Sequence, residues 1–223
     1  MLYSPTMTDS QLLKKDLFGE IRRMTLDGKC VIVRDISPVS PWVRWLARRM
    51  LQREAQVLAT LDGFEGVPQL LRLERDCLSR SFLPGEPMQV AKPRDADYFK
   101  AAYRLLRTLH RAGVVHNDLA KEPNLLVQQN NRPAILDFQL AWFTPRRSRL
   151  FRLLAYEDLR HLLKHKRSYC PQNLTQRQCR ILQNPTLPSL AYMRTIKPVY
   201  TFVTRRLLGW SDREGAADRG NRH

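Results

Sequence analysis

The stretch that most constrains this chain runs from Val114 to Ala141, VVHNDLAKEPNLLVQQNNRPAILDFQLA. Two short apolar runs, Leu125-Leu126-Val127 and Ala134-Ile135-Leu136, flank the turn formers Asn130, Asn131 and Pro133, the pattern of a hairpin of buried strands. Ahead of it, Gly113 to Val115 reads as a further buried strand. A polar loop with His116, Asp118, Lys121 and Asn124 lies between. Folded in this way, one carboxylate, Asp118, sits in the loop and another, Asp137, at a strand end. Such an arrangement suits phosphoryl transfer, which asks a protein mainly for positioning and charge. It needs a carboxylate to accept the proton of an attacking hydroxyl, and an amide oxygen plus a second carboxylate to hold Mg²⁺ on nucleotide phosphates. Asp118 would be the base, and Asn124 and Asp137 the metal ligands.

The order His116-x-Asp118, Lys121, Asn124 and Asp137-Phe138 resembles the catalytic and metal loops of the protein-kinase-like superfamily, written H-R-D-L-x-x-x-N and D-F-G. Within it, the HNDL and LDFQ forms and the basic chain look most like bacterial lipopolysaccharide-core (Kdo/heptose) kinases, with RIO-type kinases next. The resemblance covers residues 12 to about 168. It implies an α+β, two-lobed kinase-like fold with a strand-rich N-lobe and a shortened helical C-lobe. It also implies that Lys121 neutralises charge on the transferring group and that His116 packs the loop against Phe138. Val31-Ile32-Val33-Arg34 stands where the family has V-A-I-K, so Arg34 would grip the phosphates. Glu54 would be its partner, and adenine would stack near Phe82 and Leu83. An exposed strand arginine and a solvated glutamate beside Arg53 are the plainer alternatives.

Several departures bear on the mechanism. Asn124 lies six residues after Asp118 where the usual motif has five, and Lys121 keeps its place three before the Asn, so the extra residue falls just after Asp118. Asn117 replaces the arginine that answers a phosphorylated activation loop in many regulated kinases. Gln139 replaces the glycine of D-F-G, and its Cβ removes the easy access to positive φ that glycine gives. Only Gly19 stands where a glycine-rich phosphate loop would be.

Lys and Arg exceed Asp and Glu by 17, a surface that attracts polyanions such as phosphates, acidic headgroups, lipopolysaccharide or nucleic acid. No base-reading motif is present, so specific nucleic-acid binding is not expected. The four cysteines are scattered without a C-x-x-C pair, which fits a reducing compartment. His161, His165, Cys170 and Cys179 match no standard zinc spacing. No signal peptide or membrane-spanning run is evident. A cytoplasmic protein is expected, with the inner face of the cytoplasmic membrane as a peripheral site.

Along the chain, residues 1–10 read as a flexible N-terminus, 11–88 as the N-lobe, 89–210 as the reduced C-lobe with basic helices, and 211–223 as a disordered tail. Leu12 to Leu26 and Lys29 to Ile36 read as strands joined at Asp27-Gly28. Ser40-Pro41 starts a helix, with Ser as cap, whose Trp42 and Trp45 among arginines either pack in the core or touch lipid headgroups. Leu83 to Pro87 breaks the strands as a hinge, and Asp95 to Ala112 is a helix leading to the loop. Pro145 to Arg167 and Tyr200 to Trp210 are basic amphipathic segments. Each would lie on an anionic membrane or pack on the lobe with a solvated basic face. No A-P-E follows Asp137, which favours a small or lipid-linked acceptor over a peptide.

The expected activity is therefore transfer of the γ-phosphoryl group of ATP, with Mg²⁺ or Mn²⁺, to a hydroxyl. The resemblance implies a sugar of the lipopolysaccharide core. A RIO-like protein serine/threonine kinase and a nucleotide-binding pseudokinase that acts as an interaction module are the alternatives.

Overall fold

A computed structural model describes residues 7–26 and 28–184. The N-terminal part is a five-stranded sheet in the order β1-β2-β3-β5-β4, every neighbouring pair antiparallel. Its strands are β1 (Met7–Asp16), β2 (Gly19–Leu26), β3 (Lys29–Asp35), β4 (Leu70–Leu73) and β5 (Cys77–Ser81). Residues 7–10, expected in a loose tail, instead open β1, because β2 offers them pairing partners as far as Met7 opposite Leu26. The strand expected over Leu12 to Leu26 is broken at Leu17-Phe18. Gly19 follows at φ +129°, and there a Cβ would collide with the Asp35 carbonyl. Asp27 of the expected turn lies outside the described residues; Gly28 beside it has φ +74°.

Helix α1 (Pro41–Thr60) follows β3. Proline at its first position fixes φ and gives up an N–H that would have no helical partner. The Ser40 hydroxyl makes no cap bond. Arg44 instead ties the entry, donating to the carbonyls of Val39 (2.7 Å) and Ser37 (2.9 Å). The inner face carries Val43, Ala47, Leu51, Glu54, Ala55, Val57 and Leu58. Trp42 and Trp45, for which core packing was one expectation, are 73% and 60% exposed, since that inner face is already filled.

The chain then passes through β6 (Glu86–Pro87) and the single-turn α2 (Met88–Ala91) into α3 (Ala96–Arg111). Asp95 caps α3 by accepting from the Asp97 amide, and His110 and Arg111 complement the dipole at its far end. Gly113 turns the chain at φ +81° into β7 (Val114–Val115). The anticipated hairpin is β8 (Leu125–Val127) with β9 (Pro133–Ile135), its turn falling on Asn130 and Asn131, both at φ +59°. β6 pairs on the other side of β8. β10 (Trp142–Phe143) returns to pair with β7. Leu58, Leu61, Leu78, Leu109, Leu119 and Phe138, each 0% exposed, belong to one continuous core.

The basic stretch after residue 145 forms α4 (Arg149–Tyr169), which packs against α3 and β7. Leu162 and Leu163 are buried as the apolar stripe predicts, but Leu150 is exposed. Asp158, Arg160, His165 and Lys166 are buried. With these four ionisable side chains turned inward, α4 is a helix packed on the lobe. The first compact unit ends at Cys179. Helix α5 (Gln176–Gln183) runs to the edge of the description, and in the second unit Asn184 donates to the Arg180 carbonyl. The expected segments Tyr200 to Trp210 and 211–223 lie outside the described residues. No described helix is long and apolar enough to cross a membrane.

Candidate active site

Strand β3 and its neighbour β5 bring two arginines to one carboxylate. Arg34 stands on β3, and Arg80 on β5 lies opposite Ile32, two residues away, so both guanidiniums leave the same face of the sheet. Glu54, 0% exposed on α1, lies between them. Its Oε2 is 3.5 Å from Arg34 Nε, and its Oε1 is 3.3 Å from Arg80 Nη1. Arg34 Nη2 reaches on to Asp137 Oδ1 at 3.8 Å. The alternatives of an exposed Arg34 and a solvated Glu54 are thereby excluded. None of these contacts has hydrogen-bond geometry. Arg34 Nε and Nη2, both Glu54 oxygens and Arg80 Nη1 are buried polar atoms without a hydrogen-bond partner. Native proteins rarely leave such atoms unmatched; the arginine N–H groups are donors that suit an oxyanion, whereas the Glu54 oxygens between them are acceptors.

The loop after β7 is built around His116, which is fully buried. Its Nε2–H donates to the Leu136 carbonyl (2.8 Å), which leaves Nδ1 to accept from the Asp118 amide (3.2 Å). Its ring meets Phe138 edge-on at 5.0 Å. Asn117 takes φ +64°, a conformation asparagine tolerates better than most side chains. The His116 and Asn117 amides both donate to the carboxylate of Asp158, on α4, at 2.7 and 2.9 Å.

Asp118 is thus held by its backbone, and its side chain collects two donors. Lys121 Nζ lies 2.9 Å from Oδ2, and Asn124 Nδ2 donates to Oδ2 (3.1 Å) and to the Asp118 carbonyl (2.9 Å). After Lys121 the chain makes a single turn over Glu122–Asn124, with Pro123 inside it. The Leu136 amide donates to the Asn124 carbonyl (2.9 Å), which keeps Asn124 beside the strand that ends at Asp137.

Asp137 itself takes the left-handed conformation, φ +62° and ψ +70°. Gln139 is not among the described positive-φ residues, so the side chain in place of glycine meets no backbone conflict. Its amide instead donates to Asp137 Oδ1 at 2.7 Å. Burial pushes the Asp137 carboxyl up, but the guanidiniums of Arg34 and Arg80 and the Gln139 amide outweigh it and hold the pKa below the usual carboxylate value. An ionised carboxylate and an asparagine side-chain oxygen, on residues brought together by the Leu136–Asn124 backbone bond, are hard-oxygen donors of the kind Mg²⁺ takes.

Phe82 and Leu83 follow the C-terminal end of β5, both half-buried. The Phe82 amide points to the Cys30 carbonyl (3.4 Å), and the Arg23 guanidinium covers one face of the ring at 4.5 Å. Glu20, at the start of β2, is bound by Arg22 (2.7 Å) and Lys15 (3.0 Å).

Two residues of this geometry were missed in the sequence. Arg80 shares an inward face with Leu78 in the alternation of β5, and an arginine at such a position was the available signal. Asp158 was hidden in a basic helix. Its signal was an acid one heptad after Phe151 and four residues before Leu162, all three buried.

A family model described as RIO1, the RIO domain, matches residues 38–173, more than half of the sequence. The chain belongs to the RIO-domain family. The matched span holds Asp118, Lys121, Asn124, Asp137 and Asp158, while Arg34 lies just before it. A curated relative from Archaeoglobus fulgidus, described as a probable serine/threonine-protein kinase BUD32 homolog, is 28% identical over 136 residues, 59% of this chain and 67% of the relative. The crystal structure of the Rio2 kinase from Chaetomium thermophilum superposes with a TM-score of 0.61 at 16% identity, over 78% of this chain and 59% of that chain. Its ADP/Mg²⁺-phosphoaspartate complex gives 0.59 at the same identity. The chain therefore spans about three fifths of the solved RIO structures it resembles. At this identity the superposition speaks for the fold: an α+β kinase-like architecture with a sheet-rich N-terminal part and a helical remainder.

Proposed function

We propose that this RIO-domain chain is an ATP-dependent phosphotransferase of the protein serine/threonine kinase type. The observation that carries the reading is the convergence of Asp118, Lys121 and Asn124 in one fastened loop, with Asp137 and Arg34 in ion-pair contact next to it. The Asp118 carboxylate accepts the proton of the acceptor hydroxyl as its oxygen forms a bond to the γ-phosphorus. The bond from that phosphorus to the β,γ-bridging oxygen breaks, and ADP carries the electron pair away. Lys121 places a positive charge beside Asp118. Arg34, with buried N–H groups unmatched, holds phosphate oxygens. Asn124 and Asp137 are the residues that would hold Mg²⁺, which supplies neutralising charge on the phosphates.

Family membership and the named relatives support a serine or threonine hydroxyl as acceptor. The lipopolysaccharide-core sugar anticipated from the sequence rests on the motif forms, the missing A-P-E and the excess of basic residues, and a membrane surface on the last of these. The test is transfer of labelled γ-phosphate from ATP and Mg²⁺ to a generic protein acceptor and, separately, to delipidated core oligosaccharide. Asp118→Ala and Asp137→Ala serve as controls. Label on protein that both substitutions abolish is expected. Label on sugar alone would restore the lipopolysaccharide assignment, and ATP binding without transfer would make the chain a nucleotide-binding pseudokinase.

A further inference from the structure

Helix α4 meets the catalytic loop along a single face. Asp158, His165 and Tyr169 follow one another at spacings of seven and four, which return to the same side of a helix. Asp158 holds the start of the loop. Further along, the His165 ring, 6% exposed, bonds through Nε2 to the Leu119 carbonyl at 2.7 Å. A carbonyl can only accept, so the proton sits on Nε2. Burial lowers the pKa of this histidine, in keeping with a neutral ring. Tyr169 donates its hydroxyl to Glu122 Oε2 at 2.7 Å, and His165 Nδ1 lies 3.8 Å from the other oxygen of that carboxylate.

Leu119 and Glu122 bracket Ala120 and Lys121, where the loop carries its extra residue. An added residue costs little to close but adds conformations in which Lys121 points elsewhere. Bonds on both sides of that pair remove this freedom.

We propose that His165 and Tyr169 are positioning residues that fasten the lengthened catalytic loop to α4 at Leu119 and Glu122, and so hold Lys121 against Asp118. The kinetic consequence rests on the phosphotransfer reading above; the fastening itself does not.

The experiment compares Tyr169→Phe, His165→Ala and His165→Gln in the full chain by two readouts. The first is kcat and the KM for ATP. The second is hydrogen exchange at the amides of Lys121 and Asn124, which donate to the carbonyls of Asp118 (3.4 Å) and Lys121 (3.2 Å). Tyr169→Phe and His165→Ala are expected to lower kcat about tenfold to a hundredfold, the scale of a misplaced catalytic group. The KM for ATP changes far less than kcat, because Arg34 and Asp137 are untouched, and both amides exchange faster. His165→Gln, whose side-chain N–H can reach the same carbonyl, regains most of both readouts. A wild-type chain without turnover would remove the phosphotransfer reading and leave exchange to decide alone. Unchanged exchange at both amides in Tyr169→Phe overturns the proposal in either case. So does a loss that His165→Gln fails to relieve, or one that comes with faster exchange along the whole of α4.

Discussion

Glu54→Gln tests whether one buried carboxylate balances two buried arginines. The substitution keeps volume and removes charge. Glu54 is 0% exposed and faces Arg34 at 3.5 Å and Arg80 at 3.3 Å. At an effective dielectric of about 20, two unit charges about 4 Å apart attract by about 4 kcal/mol, so the gross attraction is about 8 kcal/mol. Desolvation of the carboxylate cancels much of it, and stranding buried partners typically costs about 3–5 kcal/mol net. That is a large fraction of a domain stability of about 5–15 kcal/mol. In urea unfolding followed by circular dichroism, with an m value of about 2 kcal/mol/M, the midpoint should fall by about 1.5–2.5 M. Adding Arg80→Met removes the surplus cation and should return about 1–2 kcal/mol. A cost for Glu54→Gln below about 1 kcal/mol, or a double variant weaker than the single one, would refute the charge balance.

Three other outcomes follow from the geometry. Asp158→Asn replaces an acceptor of the His116 and Asn117 amides and the His110 ring by a group that can turn only one oxygen to them. A loss of about 3 kcal/mol in the same urea assay is expected, at about 1.5–3 kcal/mol for each charged hydrogen bond. Gly113→Ala would drive a Cβ into the Thr144 carbonyl at a positive φ, and calorimetry should show a Tm loss of about 4–8 °C, on the order of 2 kcal/mol. Burial, helped by the Lys164 charge, lowers the pKa of His161 to about 4, so between that value and about 6.5 the unfolded chain binds a proton that the folded chain does not. Stability contributed by this group is therefore complete above about pH 6.5 and is lost as pH falls toward 4, with a slope of at most about 1.4 kcal/mol per pH unit. His161→Leu should flatten that slope in urea midpoints measured from pH 7.5 to 4.5.

The hairpin around Asn130 and Asn131 was legible because turn chemistry and apolar runs are local signals. The same holds for α3, where Asp95 caps a clean apolar period. The pairing of Arg34 with Glu54 was legible only through the resemblance, since nothing local links β3 to the middle of α1. Arg80 and Asp158 escaped because charge was read as exposure. In β5 and α4, buried charges are matched by groups distant in sequence, which composition and period do not register. The left-handed conformation at the D-F-Q turn was looked for at Gln139. It falls on Asp137, whose oxygen Gln139 then holds. β1 was begun too late because its first residues lack an apolar alternation and are fixed only by the partner strand.

The fastening of the catalytic loop also bears on when the site can exist. Asp158 closes over 42 residues to His116, His165 over 46 to Leu119, and Tyr169 over 47 to Glu122. Contacts of that span form late, after the intervening chain has collapsed. On a ribosome adding about 5–20 residues per second, the loop waits roughly 3–11 s between the synthesis of His116 and that of Tyr169. A chain that stops at Ala141 would contain Asp118, Lys121, Asn124 and Asp137 and would hold the loop among them without its fasteners. Assembly of the site is thus timed by α4, an element that carries none of the motif.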